Sequence, residues 1–156
     1  MSAPAWELFR GLSAAQTAEA MAFGVTIRAA AGQVLFCIGT PADCIYLIER
    51  GQVSLTLPLT VGGEEEDVLV EERAAGEALG WSALIPPHRY TLKGTAKVDS
   101  DLVSFSRTVL IAWFARQPEV GLVVMRNVAG VTGHRLEVFQ TMWAREVQRL
   151  VGHRFA

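Results

Sequence analysis

The sequence predicts a mainly β domain with helices at both ends, in which the strands form an antiparallel sandwich or barrel. Three observations support this class. Between residues 24 and 106, short runs of β-branched and apolar residues recur at roughly 8–12-residue spacing. Clusters of turn-forming residues separate these runs. Before and after this segment, the patterning is helical instead.

The N-terminal segment, residues 1–23, is predicted to form a small helical lobe. Ser13 is a favourable N-cap residue, and residues 14–22 after it are mostly strong helix formers. Gly24 is expected to end this helix. The lobe also includes the apolar residues that precede the helix, Trp6, Leu8, Phe9 and Leu12.

The middle segment, residues 24–106, contains seven runs that we predict to be strands. Turns such as Ala31-Gly32-Gln33 and Val61-Gly62-Gly63 lie between them. The acidic run at residues 64–67 is interpreted as the solvated tip of a hairpin, because no second group of metal-ligating residues accompanies it. The predicted strands lie at residues 25–27, 34–36, 45–48, 53–57, 68–70, 90–92 and 102–105.

The last segment, residues 107–152, is predicted to form two helices. The first spans residues 107–116, and Pro118 begins a long second helix. Gly130 and Gly133 interrupt the long helix at a cost of up to about 1 kcal/mol each, which suggests that another backbone or a ligand approaches closely there. Apolar or small residues recur along one face at near-heptad spacing, at Met125, Ala129, Thr132, Leu136, Phe139, Trp143, Val147 and Leu150.

This apolar stripe predicts a homodimer formed through the long helix. A compact domain covers about the first half of such a helix, so the second half would expose Phe139, Trp143 and Leu150 on a monomer. A two-fold pairing of identical helices buries all three at once. The alternative is that the helix folds back over its own domain, which would leave the protein a monomer.

Composition and charge exclude several classes of protein. The chain has 156 residues, of which 51% are hydrophobic, so global disorder is excluded. A net charge of −2 argues against binding to nucleic acid. With no apolar run of ~20 residues and no signal peptide pattern, a soluble cytoplasmic protein without membrane contact is expected. Cys37 and Cys44 are interpreted as small buried hydrophobic residues.

The sequence gives no indication of catalysis or of a required cofactor. The histidines, at positions 88, 134 and 153, are too scattered to suggest a metal site. No nucleophile elbow or Cys–His pattern is present, so an enzyme is not expected. A cupin-type jelly roll is the alternative for the strand pattern, but the clustered His and Glu ligands typical of that class are missing.

Residues 37–51 read Cys-Ile-Gly-Thr-Pro-Ala-Asp-Cys-Ile-Tyr-Leu-Ile-Glu-Arg-Gly. This order of glycines, small residues and four apolar residues resembles the first signature of cyclic nucleotide-binding domains of the catabolite activator, or Crp–Fnr, type. The resemblance implies one domain over residues 1–156, with an antiparallel, jelly-roll-like β-roll at 24–106, short N-terminal helices and a long C-terminal helix. It also implies no direct DNA binding by this chain, because too few residues follow the long helix for a DNA-binding module.

Residues 76–91 resemble the family's second signature, in which a Gly-Glu pair and a short helix precede an arginine. The resemblance implies that Glu77 accepts a hydrogen bond from the ribose 2′-hydroxyl and that Arg89 neutralises the cyclic phosphate. Tyr90 follows Arg89 where nucleotide-binding members have a small residue. The ligand-binding residues that the resemblance implies are Gly76, Glu77, Ala78, Leu79, Arg89, Tyr90, Thr91 and, on the long helix, Phe139 and Gln140.

The physical logic of such a site is that an arginine is a permanently charged, forked donor for a phosphate. A carboxylate would repel the phosphate and therefore has to face a hydroxyl. Gln140 would pair with a purine edge, and Phe139 would stack on the base. In the alternative interpretation, Glu77 and Arg89 form an ordinary ion pair worth about 0–1 kcal/mol.

The expected function is that of a stand-alone regulatory module that binds cAMP or cGMP and signals through its C-terminal helix. No cofactor is required for this role, and the expected partners are the nucleotide, or another phosphate-bearing small molecule, and a second copy of the chain. The alternative function is a ligand-free β-roll that acts as a protein-interaction or dimerisation module.

Overall fold

Two four-stranded antiparallel sheets form the body of the protein. The computed structural model describes residues 5–155. The strand order is β1-β8-β3-β6 in the first sheet and β2-β7-β4-β5 in the second, which confirms the predicted antiparallel β-roll. The strands are β1 Val25–Ala29, β2 Val34–Phe36, β3 Cys44–Arg50, β4 Gln52–Val61, β5 Glu64–Ala74, β6 Ala78–Leu79, β7 Lys93–Ala96 and β8 Ser100–Ser106.

Helices lie at both ends of the roll, as the sequence predicts. The N-terminal lobe contains a short 3₁₀ helix, Glu7–Phe9, and helix α1, Ala14–Phe23. Helix α2, Arg107–Arg116, has the predicted bounds, and α3, Pro118–Phe155, begins at the predicted proline and ends three residues beyond the predicted boundary. A second 3₁₀ helix, Trp81–Ala83, follows β6.

A capping box starts helix α1. The Ser13 hydroxyl accepts a hydrogen bond from the backbone N–H of Gln16 (3.1 Å), and the Gln16 side chain accepts one from the backbone N–H of Ser13 (2.9 Å). The two bonds satisfy backbone donors that the first helical turn leaves unpaired. The predicted N-cap is therefore confirmed.

Six of the seven predicted strands lie within observed strands, and the prediction at residues 90–92 is wrong. Strand β7 begins only at Lys93. The backbone of Tyr90 bonds instead to the loop before β3, where its N–H donates to Thr40 O (3.0 Å) and its carbonyl accepts from Gly39 N (2.7 Å). The aromatic and β-branched residues of this segment favour a strand, but tertiary pairing overrides that propensity and places Tyr90 in a loop contact.

The acidic run is predicted at the tip of the hairpin, but it lies just after the hairpin turn. Gly62 and Gly63, with φ of 60° and 88°, form the hairpin turn between β4 and β5, and residues 64–67 begin β5 as exposed strand residues. Glycine suits this turn because other residues rarely adopt positive φ. The two-residue strand β6 was not predicted, since so short a segment carries no periodic pattern.

One apolar core joins the roll to the N-terminal lobe and to helices α2 and α3. Its most buried large side chains include Trp113 and Phe105. Asn127 of α3 fastens the lobe to the helix by donating to Leu8 O and Arg10 O, both at 2.9 Å. The interpretation of the cysteines as buried residues is wrong, because Cys37 is exposed and Cys44 only half-buried, and both are free thiols.

Helix α3 is fully buried against the domain only near its start. Its buried residues are Val120, Gly121, Val124 and Val128, while the helix continues to Phe155. At 1.5 Å per residue its 38 residues extend over about 57 Å, so the second half projects beyond the roll. Within residues 5–155, no helix combines the length and the apolar character that a bilayer crossing requires.

The N-terminal lobe is expected to contribute strongly to stability, and Leu8→Ala tests this contribution. Leu8 is fully buried, so its truncation removes apolar contacts and leaves a cavity, at an expected cost of about 2–5 kcal/mol in the free energy of unfolding. Chemical denaturation followed by tryptophan fluorescence measures the change. The control is Leu122→Ala, whose side chain on α3 is 62% exposed and whose loss should change stability by less than about 0.5 kcal/mol. Equal effects of the two variants would contradict this role.

Candidate functional site

The second signature, residues 76–91, lies at the edge of the first sheet. Gly76, with φ of +87°, donates its N–H to Ile48 O (2.8 Å) and accepts at its carbonyl from Glu7 N (2.9 Å). Strand β6 then pairs with the middle of β3, and Ala78 and Leu79 are completely buried. We call residues 76–91 the cassette.

Glu77 of the cassette faces back towards strand β5. One carboxylate oxygen accepts from the backbone N–H of Ala74 (2.6 Å), and the other lies 3.7 Å from the guanidinium of Arg73. Glu77 is half-buried. Its carboxylate is therefore already bonded within its own turn, although the side chain keeps 39% exposure.

Arg89 lies on the opposite side of the cassette and is exposed. Its guanidinium donates to the carbonyl of Gly39 (2.8 Å). In residues 5–155 no carboxylate lies within 4.0 Å of this guanidinium. The alternative, an ion pair between Glu77 and Arg89, is therefore wrong. The positive charge of Arg89 remains available to an anion.

Tyr90 fills the space between the cassette and the second sheet. Its ring is 6% exposed and stacks on Phe36 with centroids 4.1 Å apart, while its hydroxyl donates to Cys44 O (2.7 Å). A Cβ at Gly80 would lie 3.2 Å from this ring and 3.1 Å from Cys44 O, so the glycine admits the tyrosine. Burial, with a further contribution from the nearby Tyr46, raises the pKa of the Tyr90 phenol, which stays protonated.

Little space remains beside this ring. A cavity of about 10 Å³ is left, enough for about one water molecule. Trp81 lies on the wall of this cavity and is 4% exposed. Its buried indole N–H has no hydrogen-bond partner in residues 5–155. The cavity is lined by Phe36, Leu55, Gly80, Trp81, Ser82, Tyr90, Thr91, Leu92 and Arg135.

The two candidate residues on helix α3 differ in their surroundings. Phe139 is half-buried and lines a second cavity of about 190 Å³ between α3 and β5, together with Val70 and Val138. Gln140 is exposed and lines none of the cavities described here. Arg135 borders both this cavity and the small one beside Tyr90. Phe139 therefore faces β5, and none of the residues that line its cavity belongs to the cassette.

A buried ionic network connects the cassette to helix α3. Arg73, only 5% exposed, forms ion pairs with Glu7 and with Glu71 (2.8 Å) and donates to Ala78 O (3.0 Å). Its guanidinium also lies over the Trp81 ring, 5.3 Å from the centroid. We refer to Glu7, Glu71, Arg73, Glu77 and Arg135 together as the ionic network.

Glu71 is the link to the helix. Arg135 donates two hydrogen bonds to one Glu71 oxygen, at 2.8 and 3.2 Å. Burial acts to raise the pKa of the Glu71 carboxyl, but hydrogen bonds and positive charge from Arg135 and Arg73 outweigh it and hold that pKa below its usual value. Glu71 is thus an anion held between two guanidinium groups.

Sequence reasoning did not assign any role to Glu7, Glu71, Arg73 or Arg135. The first and the last contacts of the network join residues 66 and 64 positions apart, and no local spacing or composition marks such pairs. Arg73 follows Glu71 and Glu72 in a charged stretch at the end of β5, so nothing in the local pattern marked its side chain as buried.

The fold is a β-roll that contains the cassette and is followed by a long helix. A sequence model described as Cyclic nucleotide-binding domain matches residues 26–117. This match spans more than half of the chain, and the chain belongs to the cyclic nucleotide-binding domain family. The match ends before α3, so Arg135 and Phe139 lie outside it. In residues 5–155, no group of three or more His, Cys, Asp or Glu is placed to hold a metal ion.

Solved structures resemble this chain over most of its length. The N-terminal domain of a transcriptional regulator from Streptomyces coelicolor is 28% identical with a TM-score of 0.69, over 82% of this chain and 89% of that one. A putative cyclic nucleotide-binding protein from Geobacter metallireducens is 24% identical with a TM-score of 0.70, over 87% and 99%.

The catabolite activator protein of Thermus thermophilus is 23% identical with a TM-score of 0.75, over 90% of this chain and 63% of that one. At 24% and 23% identity, the Geobacter and Thermus proteins show the same fold. No curated protein matches the sequence. The structural neighbours therefore include Crp–Fnr-type proteins, as the resemblance implies.

The lowered pKa of Glu71 predicts a pH-dependent contribution to stability. A carboxyl whose pKa falls on folding stabilises the native state above its unfolded pKa, here 4.5, and that contribution is lost as the pH falls through the lowered folded value. Glu71→Gln should therefore cost about 1 kcal/mol at pH 7 and progressively less below pH 4.5.

The measurement is the free energy of unfolding between pH 3 and pH 7 for the wild type and Glu71→Gln. Glu66→Gln is the control, because Glu66 is exposed and has no ion pair in residues 5–155. A difference between wild type and Glu71→Gln that stays constant with pH would show that the carboxylate charge is not what stabilises the network.

Proposed function

We propose that this chain is a regulatory module that binds cAMP or cGMP at the cassette and reports occupancy through the position of helix α3. Within the family, the domain itself binds the regulatory ligand and transmits its presence. The observation that carries the proposal is the ionic network, because it joins the cassette glutamate to the helix through consecutive contacts.

The network runs from the cassette to α3 in three contacts. Glu77 lies 3.7 Å from Arg73, Arg73 contacts Glu71 at 2.8 Å, and Glu71 contacts Arg135 at 2.8 Å. A ligand hydroxyl that binds Glu77 would draw its carboxylate away from Arg73. The buried guanidinium would then shift towards its remaining partners. Arg73 keeps Glu7 and Glu71 as partners in that case, and because Glu71 also binds Arg135, a shift of the guanidinium extends to the helix.

Three residues of the cassette would take part in ligand binding. Arg89 exchanges the Gly39 carbonyl for a phosphate oxygen, which gains a charge-assisted contact. Trp81 offers an unpaired N–H at the cavity wall. Tyr90 leaves its site, because 10 Å³ holds no nucleotide. The described conformation is then the closed state, and a ligand shifts the equilibrium by its differential affinity for the open one.

A second function is favoured by the packing of Tyr90. Tyr90 is only 6% exposed, stacks on Phe36 at 4.1 Å and donates a hydrogen bond, so it would stably occupy the space that the proposed ligand needs. This favours a ligand-free β-roll that acts as an interaction module. The two functions differ in one property, which is whether the wild-type protein binds a cyclic nucleotide at all.

Calorimetric titration with cAMP and with cGMP distinguishes the two functions. The proposal expects binding by the wild type, with a stabilisation of about 2.7 kcal/mol at a ligand concentration of 100 Kd. Arg89→Ala should weaken binding by about 1.5–3 kcal/mol, because it removes the phosphate contact. Its free energy of unfolding should hardly change, since the side chain is exposed and not ion-paired.

Two further variants complete this experiment. Arg28→Ala is the matched control, because Arg28 is an exposed arginine on β1, at the edge of the first sheet opposite β6, and its loss should leave affinity unchanged. Tyr90→Ser opens the closed site. No binding by the wild type at millimolar nucleotide, together with binding by Tyr90→Ser, would establish the ligand-free module instead.

We also propose that α3 pairs with α3 of a second copy of the chain. Beyond the roll, the apolar stripe is exposed, with Leu136 at 59%, Trp143 at 70% and Leu150 at 58%. An exposed apolar strip of this length is typical of a partner surface. Near-heptad spacing suits a left-handed crossing of two such helices, and a two-fold axis would bury both stripes.

Light scattering is expected to give a mass twice that of the chain at micromolar concentration. Trp143→Glu should convert this dimer to a monomer, because the charge would be buried in the centre of the seam. Arg145→Glu introduces the same residue two positions away, off the stripe and exposed, and should leave the dimer intact. A wild-type monomer at high micromolar concentration would rule out the pairing.

A further inference from the structure

A cleft lies between the N-terminal lobe, strand β5 and helix α3, on a part of the helix nearer its start than Phe139. Its volume is about 310 Å³, which reaches the lower end of the range for small-molecule sites. None of the sequence signatures falls in it. The lining residues are Glu7, Arg10, Arg73, Arg126, Asn127, Gly130, Val131 and His134.

One face of helix α3 forms the long wall of this cleft. Arg126, Gly130 and His134 are spaced four residues apart, so they lie above one another on the same face. A Cβ added at Gly130 would meet nothing within 4 Å. No other backbone approaches this glycine, so it leaves open space between two basic side chains. The space beside Gly130 is therefore open, whereas the sequence suggested that a backbone or a ligand approaches closely there.

The charges in the cleft are unequally compensated. Arg73 is neutralised by the carboxylates of the ionic network, and the Glu7 carboxylate is occupied in turn by Arg73 and by the N–H of Ala78 (2.9 Å). Arg10 and Arg126 are different. In the part of the chain that the structure describes, neither has a carboxylate within 4.0 Å, although both border the same cavity.

We propose that this cleft is a second ligand site, for a small polyanion such as a phosphate ester or a polycarboxylate. Arg10 and Arg126 supply two permanently charged, forked donors from separate elements, and His134 adds a ring nitrogen at the far end of the glycine gap. Arg73 and Glu7 form the inner wall. The site does not depend on the cassette, because it shares none of the predicted nucleotide-binding residues.

The inner wall couples this site to the cassette. Glu7 accepts from the N–H of Ala78, and its own N–H donates to Gly76 O. An anion that binds Arg10 and Arg126 adds negative charge beside Glu7 and Arg73, and it therefore acts on the same network that reaches α3. By linkage, any effect of the anion on the cassette equals the effect of a cassette ligand on anion affinity.

The test is calorimetric titration of the full chain with pyrophosphate and, separately, with citrate, at constant ionic strength in chloride. Binding of either anion is expected, and the comparison shows whether phosphate or carboxylate chemistry is preferred. Arg126→Gln and Arg10→Gln should each weaken binding at least 10-fold. Arg145→Gln removes the same charge from an exposed position further along α3 and should change affinity less than 2-fold.

Two more variants separate this site from others. Gly130→Leu fills the open space without adding charge and should abolish binding, while its helical circular dichroism remains unchanged. Arg89→Gln removes the cassette cation and should leave anion affinity as it is. The proposal is overturned if neither anion binds at 10 mM, if Arg145→Gln weakens binding as much as Arg126→Gln, or if Arg89→Gln abolishes binding while Arg126→Gln does not.

Discussion

The buried guanidinium of Arg73 is the constraint around which this protein is organised. At 5% exposure, the group has lost its hydration, and an unpaired charge there would cost several kcal/mol. It is satisfied by Glu7 from the N-terminal lobe, Glu71 on its own strand, the Ala78 carbonyl of the cassette and the face of Trp81. The lobe, the sheet and the cassette must therefore hold fixed relative positions for the charge to be paired.

This arrangement places three functional elements around the same group. Glu77 of the cassette lies 3.7 Å from Arg73, and helix α3 is linked to Arg73 through Glu71. Arg73 also forms the inner wall of the cleft that Arg10 and Arg126 border. A ligand at either of the proposed sites would act on a network whose members cannot relax independently, since each carboxylate serves more than one donor.

The sequence predicted well those features that depend on interactions between neighbouring residues. Ser13 caps α1 because a hydroxyl reaches a free backbone N–H three residues later. Pro118 begins α3 because its missing N–H is not needed at a helix start. Residues 90–92 show the limit of this reasoning, since the composition favours a strand while the backbone of Tyr90 pairs with Gly39 and Thr40 instead.

The sequence by itself determined the class of fold, the family and the identity of the cassette, because strand spacing, turn glycines and signature residues are properties of neighbouring positions. Only the tertiary structure decided what those residues do. It turned Glu77 towards Arg73, stacked Tyr90 on Phe36 and linked Glu71 to Arg135 across 64 positions. Burial and ion pairing depend on which distant segments meet, and a linear pattern carries no record of that contact.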